Sequence, residues 1–194
     1  MASNRPNKDP GSLEGQLLIA MPTIGDPRFD RSVILMCSHS SDGAMGIVIN
    51  KLVGHMNFGD LLEQLEIDAD AAEPGQPVHF GGPVDMGRGF VLHTNDYNAT
   101  DQTIRVTSSI RLTATVDILK AMAAGQGPRR ALLALGYAGW AAGQLEHEIQ
   151  ANAWLHCDAD ELVVFDTDVD RKWSRALARL GAEVSNLSLD AGHA

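Results

Sequence analysis

The residues best suited to chemistry gather in one short stretch, HFGGPVDMGRGFVLH (79–93). Four glycines and a proline stand there between two histidines, and an apolar run follows. A glycine-rich turn can hold a phosphate with its backbone N–H groups, and Arg88 would add positive charge. Such cradles usually precede a helix, however, and the GK[ST] of a P-loop is absent. We therefore favour a structural interpretation, in which Gly81 and Gly82 let two backbone segments cross closely and turn.

The histidines His39, His79 and His93 lie at predicted strand ends, where a general base or a metal ligand could be placed. A metal would need further ligands at fixed spacing, and the EHE at 146–148 is not followed by the second histidine of HExxH. No GxSxG nucleophile motif is present. Cys37 falls in an apolar run, where thiols are usually buried and inert. We therefore predict no catalytic residue, no metal and no cofactor.

A second glycine-rich stretch, ALLALGYAGWAAGQLE (131–146), has the pattern of a strand, a turn and a helix. Its glycine spacing does not match GxGxxG, so dinucleotide binding is disfavoured. Tyr137 and Trp140 stand beside these glycines. They could stack on a planar ligand or fill the core, and we favour the core.

A ligand site, if the chain has one, is expected where the loops 25–31 and 81–89 meet the turn 136–140. Arginines would supply positive charge, and a histidine would supply a general base. The ligand-binding residues of this hypothesis are Arg28, Arg31, His39, Gly81, Gly82, Arg88 and His93.

Apolar runs bounded by turn residues predict the strands that would position these groups. Asp42-Gly43 between two such runs is a strong turn signal and predicts a hairpin over 32–51. The predicted strands are 15–22, 32–39, 45–51, 78–80, 89–93, 103–109, 131–136 and 153–157.

Helical spacing of apolar residues predicts the remaining elements. Asn57 and Thr113 are expected to cap two helices at their N-termini, and Gly125 is expected to end the second. The predicted helices are 57–67, 113–125, 140–152 and 170–181, with a short one within 158–165.

The composition is that of a folded acidic protein. The 194 residues predict a disordered tail (1–12) and one domain (13–194). A formal net charge of −10 disfavours direct nucleic-acid binding. The N-terminus lacks the apolar region of a signal peptide, and no run is long enough to span a membrane. A cytoplasmic location is the expectation.

Four ordered blocks of the chain together resemble the AlgH/YqgE family of bacterial proteins. They are LLIAMP…DPRFDRSVILMCSH…GAMGIVINK, FGGPVDMGRGFVLH, TSSIRLTATVDIL and ALLALGYAGWAAGQLEHEIQANAWL. The chain departs from the family pattern in reading CSH where CEH is usual and INK where INR is common. The first departure removes a carboxylate beside His39.

The resemblance implies a compact mixed α/β fold, with a bent, partly barrel-like sheet surrounded by helices. It also implies a transcriptional-regulator label from an alginate-biosynthesis context, but no catalytic residue to carry over. A basic recognition helix is absent, so the label fits poorly with direct DNA contact. We expect a non-enzymatic regulatory or interaction protein with an unidentified protein partner. The alternative is a small-molecule, nucleotide or phosphate binder, or a hydrolase, with its site at Gly81–Gly89.

Overall fold

A computed structural model of the protein describes residues 11–69, 73–98 and 101–181. Within these ranges the strands form a single mixed sheet. The strands are β1 (Gln16–Ala20), β2 (Val33–Ser40), β3 (Gly43–Val48), β4 (Leu52–Asn57), β5 (Pro77–Phe80), β6 (Val84–Thr94), β7 (Thr103–Arg105), β8 (Ile110–Thr113), β9 (Ala131–Ala141) and β10 (Trp154–Asp158). The helices are α1 (Phe58–Gln64), α2 (Val116–Ala123), α3 (Gln144–Gln150), α4 (Glu161–Val164) and α5 (Val169–Arg179), with a 3-10 turn at Pro27–Phe29.

The main path of the sheet runs β10-β1-β2-β3-β9-β6-β8-β7, and each neighbouring pair is antiparallel. The long strand β9 divides the sheet. Its first half pairs with β5 in parallel, and its second half pairs with β3. The strand β5 then continues to β4. The predicted architecture, a single mixed α/β domain with a bent, partly barrel-like sheet and surrounding helices, is confirmed.

The sheet is covered on both faces because side chains along a strand alternate between them. In β1, Leu17 and Ile19 belong to one core cluster, which also contains Trp173 of α5. The intervening Leu18 belongs to a second cluster with Trp154. A third cluster lies under α1 and α2 and is described with the site below. Aliphatic side chains dominate all three clusters, as the low aromatic content requires.

The predicted hairpin over 32–51 is confirmed as β2 and β3, with a register shift between Met36 and Ser38. The predicted cap at Asn57 is also confirmed. Its side chain accepts from the backbone N–H of Asp60, and the Asp60 carboxylate accepts from the backbone N–H of Asn57. This reciprocal pair is a capping box.

The predicted turn at 136–140 is wrong, because β9 continues through both glycines to Ala141. Gly136 has φ of +73° and bends the strand without ending it. The helix α3 starts only at Gln144, after Gly143. Gly136 and Gly139, which predicted a turn, therefore lie within one continuous strand that bends at Gly136.

The helix predicted over 113–125 begins later, with Thr115 in the N-cap position. Thr113 is instead the last residue of β8, and its hydroxyl contacts the side chains of His93 and Thr103. The strands β4 and β8 were not predicted, and β7 is shorter than the predicted 103–109.

The predicted tail (1–12) lies outside the described residues as far as residue 10, and so does the C-terminal part of the predicted domain after residue 181. Ser12 is described, and its hydroxyl donates to the carbonyl oxygen of His39. In the described part of the chain, every helix is too short or too polar to cross a lipid bilayer.

Candidate functional site

The glycines at the start of the 79–93 stretch hold two backbones in close approach. A Cβ atom on Gly81 would lie 2.2 Å from the carbonyl oxygen of Gly136, and one on Gly82 would lie 2.0 Å from the carbonyl carbon of Tyr137. Gly82 also has φ of +152°, which L side chains rarely adopt. The close crossing favoured from the sequence is therefore present, and the fold requires both glycines whether or not a ligand binds.

Beyond this crossing, the chain bulges away from the sheet. Val84 pairs with Tyr137 and Gly89 pairs with Leu135, so four residues of β6 lie opposite one residue of β9. All residues from Val84 to Gly89 are exposed. The bulge separates two cavities, which its two ends help to line.

The first cavity, here named the aromatic cleft, has a volume of about 430 Å³. It forms where the loop after β1, the start of β6, the end of β9 and α3 meet. The three segments predicted to converge do so here. Its lining residues include Asp26, Arg28, Phe29, Val84, Gly139, Trp140, Gln144, Glu148 and Trp154.

The polar groups of the aromatic cleft are already satisfied by one another. Glu148 accepts from the indole N–H groups of Trp140 (2.9 Å) and Trp154 (2.8 Å) and from the side-chain amide of Gln144 (2.9 Å). The Arg28 guanidinium donates to both carboxylate oxygens of Asp26 and lowers the pKa of that carboxyl group. The cleft therefore has no spare positive charge for a phosphate, and its aromatic residues are part of the packing.

The second cavity, here named the Arg88 pocket, has a volume of about 280 Å³ and lies at the edge of the third core cluster. It opens where β6 and β8 separate, because their ladder stops at the pair Val91–Thr113. Helices α1 and α2 contribute its sides. Most of the lining is apolar: Leu61, Leu65, Val78, Phe90, Val91, Ala114, Val116, Leu119, Leu133, Ala134 and Leu135, together with Gly87, Arg88, Gly89, Thr113 and Thr115.

Two polar side chains of the Arg88 pocket, those of Thr115 and Arg88, lack hydrogen-bonding or carboxylate partners among the described residues. The hydroxyl oxygen of Thr115 is buried and makes no hydrogen bond within the described ranges. Thr115 precedes α2, and its side chain does not cap that helix. The exposed Arg88 forms no ion pair with a described residue, and its guanidinium carbon lies 5.3 Å from the centroid of the Phe90 ring. This pocket thus has free hydrogen-bonding capacity that the aromatic cleft does not have.

The arginines of the sequence hypothesis are not gathered in one cavity. Arg28 lines the aromatic cleft and Arg88 lines the second pocket. Arg31 packs over Trp173, with its guanidinium carbon 5.2 Å from the ring centroid. Of these three arginines, only Arg88 combines a cavity position with the absence of a carboxylate partner among the described residues.

The candidate general bases His93 and His39 both form hydrogen bonds within the fold. The ring of His93 is fully buried; it contacts the carbonyl oxygen of Thr94 through Nδ1 and the hydroxyl of Thr113 through Nε2, both at 2.8 Å. Burial lowers the pKa of His93. His39 accepts the backbone N–H of Leu13 through Nδ1, so its Nε2 carries the proton and donates to Glu146 at 2.8 Å.

The contact between His39 and Glu146 corrects an inference from the sequence. Ser38 stands where the family usually has a glutamate, so the sequence offers His39 no neighbouring carboxylate with which to pair. The structure supplies a carboxylate from α3 instead, 107 residues away. A sequence separation of 107 residues does not predict this pair, because the contact depends on how α3 packs against the sheet.

Two other reactive groups are also buried. Burial raises the pKa of the Cys37 thiol to about 12, so it stays protonated at neutral pH. Burial also lowers the pKa of His79 to about 4, and its ring contacts the carbonyl oxygen of Leu133. In the ranges that the structure describes, no three His, Cys, Asp or Glu side chains are grouped to hold a metal ion.

Sequence reasoning missed Thr115 and Glu148. The threonine falls inside the helix predicted over 113–125, and the glutamate has no signal beyond its place in the helix predicted over 140–152. The helix boundary and the two tryptophans that approach Glu148 become visible only in three dimensions.

The bent mixed sheet, with the glycine crossing between β5 and β6 and the long β9 at its centre, defines a recognisable class of bacterial protein. A family model described as AlgH-like (DUF179) matches residues 17–185. The chain belongs to this AlgH-like family, as the resemblance in the sequence implied.

Relatives of similar length support this membership. A UPF0301 protein of Bradyrhizobium diazoefficiens is 54% identical, over 97% of this chain and 92% of its own length. A UPF0301 protein of Rhodopseudomonas palustris is 51% identical, over 100% of this chain and 96% of its own.

Solved structures agree with the fold. The solution structure of the AlgH protein from Pseudomonas aeruginosa is 41% identical, with a TM-score of 0.76 and full coverage of both chains. The crystal structure of a Corynebacterium diphtheriae protein is 22% identical, with a TM-score of 0.69, over 100% of this chain and 95% of its own. At that identity it supports the fold alone.

Proposed function

We propose that this protein acts by binding and not by catalysis, and that its site is the Arg88 pocket, where it takes a small molecule carrying a negative charge. The observation that supports this most directly is the contrast between the two cavities. In the aromatic cleft, the charged side chains are paired within the protein. In the Arg88 pocket, a buried hydroxyl group and an arginine have no hydrogen-bonding or carboxylate partner among the described residues.

The unpaired groups favour a ligand because buried polar groups are normally hydrogen-bonded. A buried hydroxyl without a partner costs about 1–3 kcal/mol relative to a satisfied one. The Thr115 hydroxyl oxygen has less than 1 Å² of accessible surface, so the side chain must rotate toward the cavity before a ligand can accept this hydrogen bond and recover that free energy. Arg88, which is exposed at the same pocket, can then offer a charge-assisted hydrogen bond to the same ligand.

Catalysis is disfavoured by where the candidate nucleophile and bases lie. Cys37 is buried with a raised pKa, and His93 is buried between two hydrogen-bonding partners. Nucleophilic catalysis needs a nucleophile and a base within hydrogen-bond reach of one another and of a substrate. His39 lies on β2, and β2 does not contribute to the Arg88 pocket.

The proposal is tested by thermal unfolding of the protein with a panel of phosphorylated metabolites, carboxylates and nucleotides. A ligand present at about 100 times its Kd adds about 2.7 kcal/mol of stability. For a domain of this size, the midpoint should rise by roughly 5–10 °C.

Two matched variants assign a positive result to a cavity. Arg88→Ala should remove most of the rise, whereas Arg28→Ala, an arginine change in the aromatic cleft, should preserve it. A rise that survives Arg88→Ala and disappears in Arg28→Ala would transfer the site to the aromatic cleft. A flat panel would count against small-molecule binding.

A protein partner is the second candidate, and the exposed apolar side chains beside the pocket favour it. Leu65, Met86 and Val116 are each between 40% and 46% exposed. Contiguous exposed apolar side chains often mark interaction sites. A regulatory role, which the family label implies, would then act through a complex, and Met86→Lys should abolish that complex.

A further inference from the structure

The interior of the Arg88 pocket is suited to a hydrocarbon chain. Its deep wall consists of Val78, Val91, Leu133 and Leu135, all members of the third core cluster or packed against it. Leu119 of α2 closes one side. A pocket lined in this way binds apolar groups through the hydrophobic effect, and it has little to offer a polar ring such as a sugar.

The mouth of the pocket is also apolar. Leu65 and Val116 line the pocket and are 40% and 45% exposed. Met86, which precedes the lining residue Gly87, is 46% exposed. An occupant that extends from the interior to the surface would cover these side chains as well.

One end of the pocket is suited to a single negative charge. The N-terminus of α2 has no side-chain cap, so its first backbone N–H groups carry partial positive charge. The unpartnered Thr115 hydroxyl lies directly before these groups, and Arg88 belongs to the same lining. The start of an uncapped helix, a hydroxyl without a partner among the described residues and an arginine thus all contribute to the lining of one apolar pocket.

Acidic side chains near this end limit the charge that it accepts. Asp117 lies in the first turn of α2, and Asp85 lies three residues before Arg88. These carboxylates offset part of the attraction that Arg88 exerts on an anion. A doubly charged phosphate also loses more hydration free energy than a singly charged carboxylate when it enters a pocket with mostly apolar walls. The site therefore favours a carboxylate over a phosphate.

We propose that the ligand of the Arg88 pocket is an unbranched carboxylate of medium chain length, an inference that rests on the proposed function. Its carboxylate contacts Thr115, Arg88 and the start of α2, and its chain lies on the deep wall. A methylene group has about the volume of a water molecule in the liquid, roughly 30 Å³. A pocket of about 280 Å³ therefore holds on the order of eight to ten such groups.

The test is isothermal titration calorimetry of the full chain with hexanoate, octanoate and decanoate, and with acetate and inorganic phosphate as short anions. Burial of each methylene should improve the affinity about fourfold, so decanoate should bind roughly 15 times more tightly than octanoate. Decyltrimethylammonium, which has a chain of the same length and a positive head, is the matched control. Because the protein carries a net charge of −10, long-range attraction favours this cation, and tighter binding of decanoate requires a local positive site.

Two variants test the head-group contacts. Arg88→Ala should weaken decanoate by about tenfold or more, the usual effect of losing a charge-assisted hydrogen bond. Thr115→Val removes only a hydroxyl that has no partner in the fold, so the protein should remain at least as stable. The variant should nevertheless bind decanoate about fivefold more weakly.

These measurements distinguish an error in the class of ligand from an error in the location of the site. Equal or tighter binding of the cation, or no gain with chain length, would overturn the carboxylate inference. If acetate or phosphate then bound in a manner that depended on Arg88, the proposed function would still hold. If no compound bound, or if none lost affinity in Arg88→Ala, both the carboxylate inference and the proposed site would be wrong.

Discussion

Lys172 provides a quantitative test of the core packing. This residue of α5 is fully buried, and its ammonium group donates to the carbonyl oxygens of Ile49 (2.7 Å) and Val164 (2.8 Å). No carboxylate pairs with it among the residues that the structure describes. Burial lowers the pKa of Lys172 from its usual 10.5 to about 7.

The lowered pKa makes the stability depend on pH. Between about pH 7 and pH 10.5, the unfolded chain holds a proton on this lysine that the folded chain does not. Stability rises with pH wherever the unfolded state binds more protons, so the free energy of unfolding should increase by about 1.4 kcal/mol per pH unit. The penalty for burying the charged form is fully present below pH 7, and it disappears as the pH approaches 10.5.

The perturbation is Lys172→Met, which keeps the length of the side chain and removes the titrating group. Urea unfolding at about pH 7.5 and about pH 9.5 gives the free energy of unfolding for both proteins. The difference between wild type and variant should shift by roughly 2.7 kcal/mol in favour of wild type over this range. Other groups that titrate in this range are present in both proteins, so their contributions cancel in the difference.

A difference that stays constant with pH would refute the reasoning, because it would mean that Lys172 titrates alike in the folded and unfolded chains. A shift of the opposite sign would mean that the folded protein binds the extra proton. The stability of the variant at a single pH does not test the reasoning, because the carbonyl oxygens of Ile49 and Val164 lose their hydrogen-bond donor at every pH.

Three further predictions follow from the packing. Gly82→Val should prevent stable folding because its side chain would overlap the backbone of β9, whereas Gly87→Ala, where a Cβ atom meets nothing within 4 Å, should change the melting temperature by less than about 2 °C. Asn57→Ala should cost about 1 kcal/mol in urea unfolding through loss of the capping box, with an unchanged m-value. Glu148→Ala should cost about 2–3 kcal/mol because two indole N–H groups lose their acceptor. Glu146→Ala, which removes a half-exposed partner from the single N–H of His39, should cost only about 1 kcal/mol.

The parts of the fold that could be predicted from the sequence are those with a strong local signal. The hairpin β2–β3 follows from two apolar runs around Asp42-Gly43, and the start of α1 follows from Asn57. By contrast, β4 is exposed along much of its length and contains Gly54, so it lacks an apolar pattern. Gly136 was read as a break because the sequence does not show that a second backbone passes beside it.

The candidate site was predicted only in part, since it depends on contacts between distant segments. Arg88 was identified from its place in a glycine-rich stretch. The pocket itself exists because the ladder of β6 and β8 stops at Val91–Thr113 while α1 and α2 pack nearby. The position of Thr115 before α2, and the absence of a partner for its hydroxyl, likewise follow from tertiary structure.

The most direct test of the central claim is an NMR titration of the ¹⁵N-labelled protein with decanoate, because it locates the ligand without a mutation. If the Arg88 pocket is the site, saturable shifts should be concentrated at the backbone amides of 87–91 and 113–119. The amides of 24–29 and 140–154, around the aromatic cleft, should change little. Shifts concentrated around the aromatic cleft, or small non-saturating shifts across the whole chain, would contradict the account.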